Sequence, residues 1–294
     1  MSAPPEPPPE PPPERRTRGR TSRSRLQALD GYLLHCERAL LERRDGPWRE
    51  AAFLDVGFGE HPWTTLESAR AFRELNPELS VIGVEADAAR ATAAAEHEEA
   101  RTRFHPGGFD WATKAGQPVR LVRAMNILRQ YHPEDVEAAH TQLGQALLPG
   151  GLLVEGSTDT GGGITVAYLL RRTLEGLTRE ALLFHTDFQH GFSPWLFRDW
   201  LPRDWRRGVS PGTALHTFFT AWAHAWKQAR EHGAREPEAS FQQSVLGLSL
   251  TQPAVSTEPW LREHGYLRWQ PPGGIPRPPG QRAPPHPGAP GAPG

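Results

Sequence analysis

Cysteine is almost missing from this chain: Cys36 is the only one in 294 residues. A single thiol excludes an internal disulfide and a cysteine-rich metal site. Long apolar runs are missing as well. None reaches membrane-spanning length, and the first residues lack the hydrophobic region of a signal peptide. A soluble, cytoplasmic protein with no membrane role is therefore expected. Neither sign of charge is in excess, since 33 Lys and Arg against 34 Asp and Glu give a formal net charge of −1. That balance argues against a surface that grips nucleic acid everywhere.

Proline is abundant, and it is concentrated at the ends. Met1 to Glu14 is mostly proline with three glutamates, and from Pro271 onward the chain is mostly Pro, Gly and Ala. Neither stretch has apolar side chains to bury, so both are expected to be solvated tails of polyproline II character. Between the first tail and the first helix lie Arg15, Arg16, Arg18, Arg20, Arg23 and Arg25. Such a basic arm is either a solvated leader or a contact for RNA, DNA or acidic lipid. The expected organisation is a leader over 1–24, one domain over 25–270 and a tail over 271–294. Within the domain, about 50–156 reads as a cofactor half and about 157–270 as a substrate-side half.

One stretch organises the domain: Phe53-Leu54-Asp55-Val56-Gly57-Phe58-Gly59-Glu60. The apolar run from Ala51 to Val56 predicts a strand. Leu66, Ala69, Phe72 and Leu75 predict a helix opening near Trp63. Strand, glycine turn and helix make the first unit of a nucleotide-binding sheet. The glycines let backbone approach a ligand, and the helix start offers unpaired N–H groups. Asp55, at the strand's end, would face the same crevice. Its carboxylate would repel a pyrophosphate and attract an amino group.

Helical spacing from Leu26 to Leu40 predicts a helix ahead of this unit. After Asn76-Pro77 a second strand runs from Ser80 to Glu85. Glu85 lies about twenty-five residues past the glycines, where a carboxylate can accept from ribose hydroxyls. Asp87 is expected to cap a helix over 88–100. A short strand around Arg103 to His105 leads to Gly107-Gly108-Phe109-Asp110-Trp111, in which Phe109 and Asp110 suit an adenine pocket by ring stacking and acceptance from the exocyclic amine. A fourth strand, Val119 to Ala124, ends at Asn126. A helix over 134–148, closed by Pro149-Gly150-Gly151, precedes a fifth strand over Leu152 to Gly156. Ser157 to Gly163 reads as a polar loop, Ala181 to Phe188 as a sixth strand, and Tyr266 to Trp269 as an edge strand. Trp195, Trp200, Trp205, Trp222 and Trp226 are either core or pocket wall.

From Asp55-x-Gly57-x-Gly59 through Leu148-Pro149-Gly150-Gly151-Leu152-Leu153-Val154-Glu155-Gly156, the order of segments resembles the class I S-adenosylmethionine-dependent methyltransferases. The segments around Asn126-x-Leu128-Arg129-Gln130-Tyr131 and Gly150 to Gly156 look like a group of bacterial methyltransferase-like proteins. The resemblance implies a Rossmann-like α/β fold with a mainly parallel seven-stranded sheet and helices on both faces. It implies S-adenosyl-L-methionine as cofactor, with Asp55, Gly57 and Gly59 near the methionine portion and Glu85 on ribose. Phe109 and Asp110 would flank adenine, and Asn126 would stand where cofactor and acceptor meet, with Arg129 and Tyr131 at the same rim. In-line methyl transfer needs contact and water exclusion more than a fixed acid or base. Candidates for a base are His132, Glu155, Asp159, His185 and His190; no metal is expected.

Departures from the family pattern narrow the chemistry. His61 replaces a third glycine, and Pro62 opens the helix where no N–H is needed. The fourth strand lacks the Asp/Asn-Pro-Pro-aromatic signature used on amide or base-amine targets. Cys36 sits in the leading helix, away from any role in pyrimidine carbon methylation. A small-molecule acceptor is expected. The alternative is an inactive, methyltransferase-like binding protein, associated with RNA through Arg15 to Arg25.

Overall fold

The structure is a computed structural model that describes residues 21–206, 209–271 and 274–275. The expectations for residues 1–20 and 276–294 lie outside the described residues. In chain order, α1 (Gln27–Cys36) and α2 (Arg38–Glu42) precede β1 (Ala52–Val56), followed by α3 (Trp63–Arg73), β2 (Val81–Glu85) and α4 (Ala88–Ala94). Next come β3 (Thr102–Pro106), α5 (Trp111–Lys114), β4 (Val119–Met125), α6 (Val136–Gly144) and β5 (Leu147–Thr158). The remainder comprises β6 (Ile164–Arg172), β7 (Leu177–Thr186), α7 (Ala214–Glu231), α8 (Pro237–Ser249), α9 (Pro259–Glu263) and β8 (Tyr266–Trp269).

All of these strands join one sheet in the order β3-β2-β1-β4-β5-β6-β7-β8. The first five are mutually parallel, and β5 to β8 continue as antiparallel neighbours. The sheet is thus α/β and parallel through its first five strands, with eight strands rather than the expected seven. The additional strand is β6, a run of Ile, Thr, Val, Ala, Tyr and Leu buried on both faces. Such a run lacks the alternation that marks a half-buried strand. Ser157 and Thr158, expected in a loop, extend β5 and pair with Val166 and Thr165. The turn that follows is left to Asp159–Gly163.

Two other boundaries moved for identifiable reasons. The helix expected over 134–148 stops at Gly144, and Pro149-Gly150-Gly151 lies inside β5 rather than capping the helix. There the register slips: Val119 faces Leu147, but Leu121 faces Leu152. The Pro-Gly-Gly segment is a strand irregularity, and Gly150 has φ +94°, a conformation easy only for glycine. The helix expected over 88–100 is α-helical only through Ala94, then tightens into a 3₁₀ turn at Ala95–His97. Asp87 does cap it, its Oδ1 accepting from the Ala89 and Arg90 amides.

Alternate residues of β1 point to opposite sides. Ala52, Leu54 and Val56 join a core shared with α6, α7 and α8, while Phe53 joins a core shared with α1, α2, α3 and α9. Helices therefore cover both faces. Trp205 and Trp222 are fully buried, and Trp222 packs among Phe184, Phe197 and Phe218. These two tryptophans are core.

Arg120 of β4 secures the leading helices. It is 1% exposed and donates through Nε to the Ala51 carbonyl (2.8 Å). Its Nη1 donates to the carbonyls of Leu40, Leu41 and Arg43 (3.0, 3.0 and 2.7 Å), and its Nη2 to that of Trp48. Burial, then repulsion from Arg44 and Arg43, pushes its pKa down to about 10. At the far end, Ile275 is buried and its N–H donates to the Arg179 carbonyl (2.8 Å), so the polypeptide stays docked past Pro271.

Candidate functional site

Strand order reverses direction between β1 and β4, each of which continues into neighbours on its own side. Loops leaving the C-terminal ends of two such strands diverge, and the gap between them is where open parallel sheets bind ligands. A cavity of about 620 Å³ lies there. Its wall includes Asp55 to Gly59 from the end of β1, Thr64 from α3, and Met125 to Ile127 from the end of β4. Its volume is within the range of small-molecule and cofactor sites.

Backbone conformation shapes this wall. Gly57 and Gly59 have φ of +69° and +89°. A side chain at 57 would meet Ile127 Cδ1 at 2.7 Å, so the turn requires glycine both for its dihedral and for its closeness to β4. Asn126 also adopts a left-handed conformation (φ +65°), which asparagine tolerates better than most residues. Its N–H donates to the Gly156 carbonyl (2.7 Å), and its Oδ1 accepts from the Thr158 N–H (3.0 Å). The tips of β4 and β5 are thereby clamped together. The side-chain NH₂ is the end of Asn126 that can donate to a ligand.

Asp55 is on the wall but only 3% exposed. Arg123 grips it at both oxygens, Nε to Oδ1 at 3.0 Å and Nη2 to Oδ2 at 2.8 Å. Thr65 Oγ1 also donates to Oδ2 (2.6 Å). The other arm of Arg123 donates to Asp30 Oδ1 (2.9 Å) and Ser68 Oγ (2.6 Å). Burial pushes the Asp30 carboxyl up to about 6, opposed by Arg123 and Ser68.

Glu85 stands beside the glycine turn, 2% exposed. Its Oε2 accepts from the Gly59 N–H (2.9 Å) and its Oε1 from the Asp87 N–H (3.2 Å). Glu85, Phe109 and Asp110 are off the described cavity wall. Phe109 packs on Tyr131 at 5.6 Å between ring centroids, and Asp110 pairs with Lys114 at 2.8 Å. Next to them His105 stacks on Trp111 (4.6 Å). His61 stacks on Trp63 (4.2 Å) instead of entering the cavity.

The candidate bases are not brought together. His132 is exposed and off the wall. Asp159 shapes the turn between β5 and β6, its Oδ1 accepting from the Ile164 N–H (3.0 Å). His190, mostly exposed, has Nε2 3.8 Å from Asp159 Oδ2. Glu155 is sealed under α6 against His140 (3.3 Å). Burial pushes Glu155 up to about 8 and His140 down to about 4. His185 is buried beside Tyr266, and burial lowers its pKa to about 4.

A strap ahead of α1 crosses the cavity, a feature without a sequence signal beyond its arginines. Thr21 Oγ1 donates to the Phe58 carbonyl (2.8 Å) on one side. On the other, Ser22 Oγ donates to the Thr160 carbonyl, and Arg25 to those of Thr158 and Asp159 (2.9 and 2.8 Å). Arg23 lies over the Trp63 ring at 4.9 Å. Two of the six leader arginines are thus turned onto the fold; the other four lie outside the described residues.

Among the described residues one trio of possible metal ligands occurs, His35, Cys36 and Glu258, outside the cavity. Burial and Glu258 push the Cys36 thiol up to about 11, away from the thiolate that metals bind. No helix of the described residues is long and apolar enough to cross a membrane.

No protein-family model and no curated protein matches the sequence. Solved structures of methyltransferases are similar to parts of it. An amino pentose methyltransferase from Micromonospora echinaspora is 24% identical over 57% of this chain and 70% of its own, with a TM-score of 0.32. The plantazolicin methyltransferase BpumL is 11% identical over 45% of this chain, with a TM-score of 0.29, and this chain spans 52% of its length. A putative protein-L-isoaspartate O-methyltransferase from Plasmodium falciparum is 16% identical over 51% of this chain and 66% of its own, with a TM-score of 0.32.

Proposed function

We propose that this chain is an S-adenosylmethionine-dependent methyltransferase acting on a small-molecule acceptor. The observation that carries the reading is the cavity at the reversal between β1 and β4, walled by the left-handed Gly57, Gly59 and Asn126. Its volume and glycine-shaped wall fit the methionine side of the cofactor. On the ribose side, Glu85 stands one hydrogen bond from the turn, at the Gly59 amide. In this reading Gly57 and Gly59 line the methionine portion, Glu85 holds ribose, and Phe109 with Asp110 flanks adenine. Asn126 orients the groups that react.

The cofactor, when bound, supplies an electrophilic methyl group on a sulfonium. The protein's task is then to bring an acceptor atom into line and to keep water out. The strap from Thr21 to Arg25 and the clamp at Asn126 serve both needs, since they meet at Thr158, whose carbonyl accepts from Arg25 and whose N–H donates to Asn126. No histidine or glutamate stands among the described wall residues, and the one carboxylate there, Asp55, is held by Arg123. Catalysis by positioning, on an acceptor that is already nucleophilic or that loses its proton to water, agrees with this wall.

Calorimetric titration of S-adenosylmethionine into wild type and Glu85→Ala tests the reading. Micromolar binding, weakened at least tenfold by the substitution (about 1.4 kcal/mol), is expected. A folded wild type that binds none sinks it and leaves a binding protein of the same fold in front. Formation of S-adenosylhomocysteine on incubation with candidate acceptors separates an enzyme from a protein that only binds the cofactor.

A further inference from the structure

Three arginines from separate parts of the chain line one cavity: Arg25 ahead of α1, Arg129 just past β4, and Arg206 beyond β7. Burial first, and then repulsion from Arg206 and Arg25, lowers the pKa of Arg129. Convergent like charges destabilise a fold unless a counter-charge arrives. The acidic groups near them answer only part of it. Asp159 acts on Arg25 and Asp199 on Arg129, yet among the described residues neither Arg129 nor Arg206 forms an ion pair. The wall's own carboxylate, Asp55, is engaged with Arg123 behind it.

The arginines differ in what holds them. Arg25 donates to the Thr158 and Asp159 carbonyls, which ties the strap to the end of β5. Arg129 lies over the Trp200 ring at 4.7 Å, a contact that positions a guanidinium without consuming its N–H groups. Arg206 is half-buried on the same wall. Guanidinium groups gathered in this way suit a carboxylate or phosphate, which accepts charge-assisted, often paired, hydrogen bonds.

We infer that the acceptor of this cavity is an anion, a small molecule bearing a carboxylate or phosphate that Arg129 and Arg206 hold. The inference rests on the proposed function for the identity of the cavity, but anion binding is measurable apart from it. Arg129 and Arg206 then set specificity by selecting anionic acceptors over neutral ones of the same shape. Their attraction for such a ligand weakens as salt screens it.

The experiment titrates inorganic pyrophosphate and benzoate, separately, into the full chain saturated with S-adenosylhomocysteine, and repeats this with Arg129→Gln/Arg206→Gln. S-adenosylmethionine is titrated into both proteins alongside, and circular dichroism checks that the variant is folded. Saturable binding of either probe that falls at least tenfold in the variant, with cofactor affinity held within twofold, supports the inference. Pyrophosphate or benzoate as the tighter probe tells phosphate from carboxylate. Cofactor binding without probe binding, or probe binding unchanged in the variant, overturns it and leaves the proposed function standing. A variant that loses cofactor affinity also overturns it, because the arginines then serve the cofactor's own carboxylate. If the wild type binds no cofactor but the probes, titrated without it, bind and are lost in the variant, the anion site stands and the methyltransferase reading fails. If that variant is unfolded, Arg129→Gln alone gives the same readouts, since Trp200 keeps its packing against the core without the guanidinium.

Discussion

Asp55 and Arg123 face each other through two hydrogen bonds, Nε to Oδ1 at 3.0 Å and Nη2 to Oδ2 at 2.8 Å, with the arginine fully buried. The charge at the end of β1 is therefore matched within the protein. The sequence suggests an unpaired carboxylate facing the crevice; in the fold Arg123 holds both of its oxygens. Asp55 ties the end of β1 to β4 through Arg123 and to α3 through Thr65.

Replacing Arg123 with methionine leaves two carboxylates, Asp55 and Asp30, buried without their cation. A loss of about 3–5 kcal/mol in stability is expected, measured by urea unfolding at neutral pH. The loss should shrink at acid pH, where the Asp30 carboxyl, pushed up to about 6 by burial, takes up its proton, and adding Asp30→Asn should recover part of it. A change below about 1 kcal/mol would show that the pair contributes little.

Gly57→Ala places a Cβ in the left-handed region and against Ile127. The backbone cost is about 1–2 kcal/mol, with a steric addition. Thermal unfolding should record the destabilisation. S-adenosylmethionine affinity should fall by more than in Gly116→Ala, where φ is +65° but the added atom meets open space.

Asn126→Ala removes the acceptor of the Thr158 amide and keeps a φ that alanine dislikes. About 1–3 kcal/mol of stability should be lost. In hydrogen exchange, the Thr158 amide should exchange faster, and amides in the centre of β5 should be affected less.

Glu155 and His140 make stability depend on pH from both sides. Glu155 binds its proton more tightly when folded, so its contribution is present below the unfolded pKa and is lost as pH rises toward about 8. His140 binds its proton less tightly when folded. Its contribution is present above the unfolded value of about 6.5 and is lost as pH falls toward about 4. Glu155→Gln should therefore lose less stability than wild type between pH 6 and pH 8.5, with urea midpoints as the readout. Equal losses in both proteins would place the alkaline sensitivity elsewhere.

Those parts of the fold whose signals are local were legible in the sequence. β1, β2 and β4 are apolar runs ended by Gly57, Glu85 and Asn126, and the switch point follows from their alternation with helices. The strand β6 was harder, since burial on both faces removes the period of two, whereas most of β7 was readable from Ala181 onward. Pro149-Gly150-Gly151 misled because the same residues end helices and interrupt strands. In the site, the left-handed glycines were readable from Gly57-x-Gly59. The partnership of Asp30, Asp55 and Arg123 was not, because it joins residues 68 and 93 positions apart. Nor was the convergence of Arg25, Arg129 and Arg206, which only tertiary structure assembles.

Arg120 bears on how the molecule comes to be made. Five carbonyls between Leu40 and Ala51 close around a guanidinium that lies 69 to 80 positions further along the chain. In that shell the polypeptide takes the place of water around an ion. During synthesis the leading helices leave the ribosome well before this cation does, and contacts of such long range carry a large loop-closure cost before any gain. The opening segment must therefore wait, hydrated and incomplete, for β4 to arrive. The shell between Leu40 and Ala51 is completed only once β4 is in place.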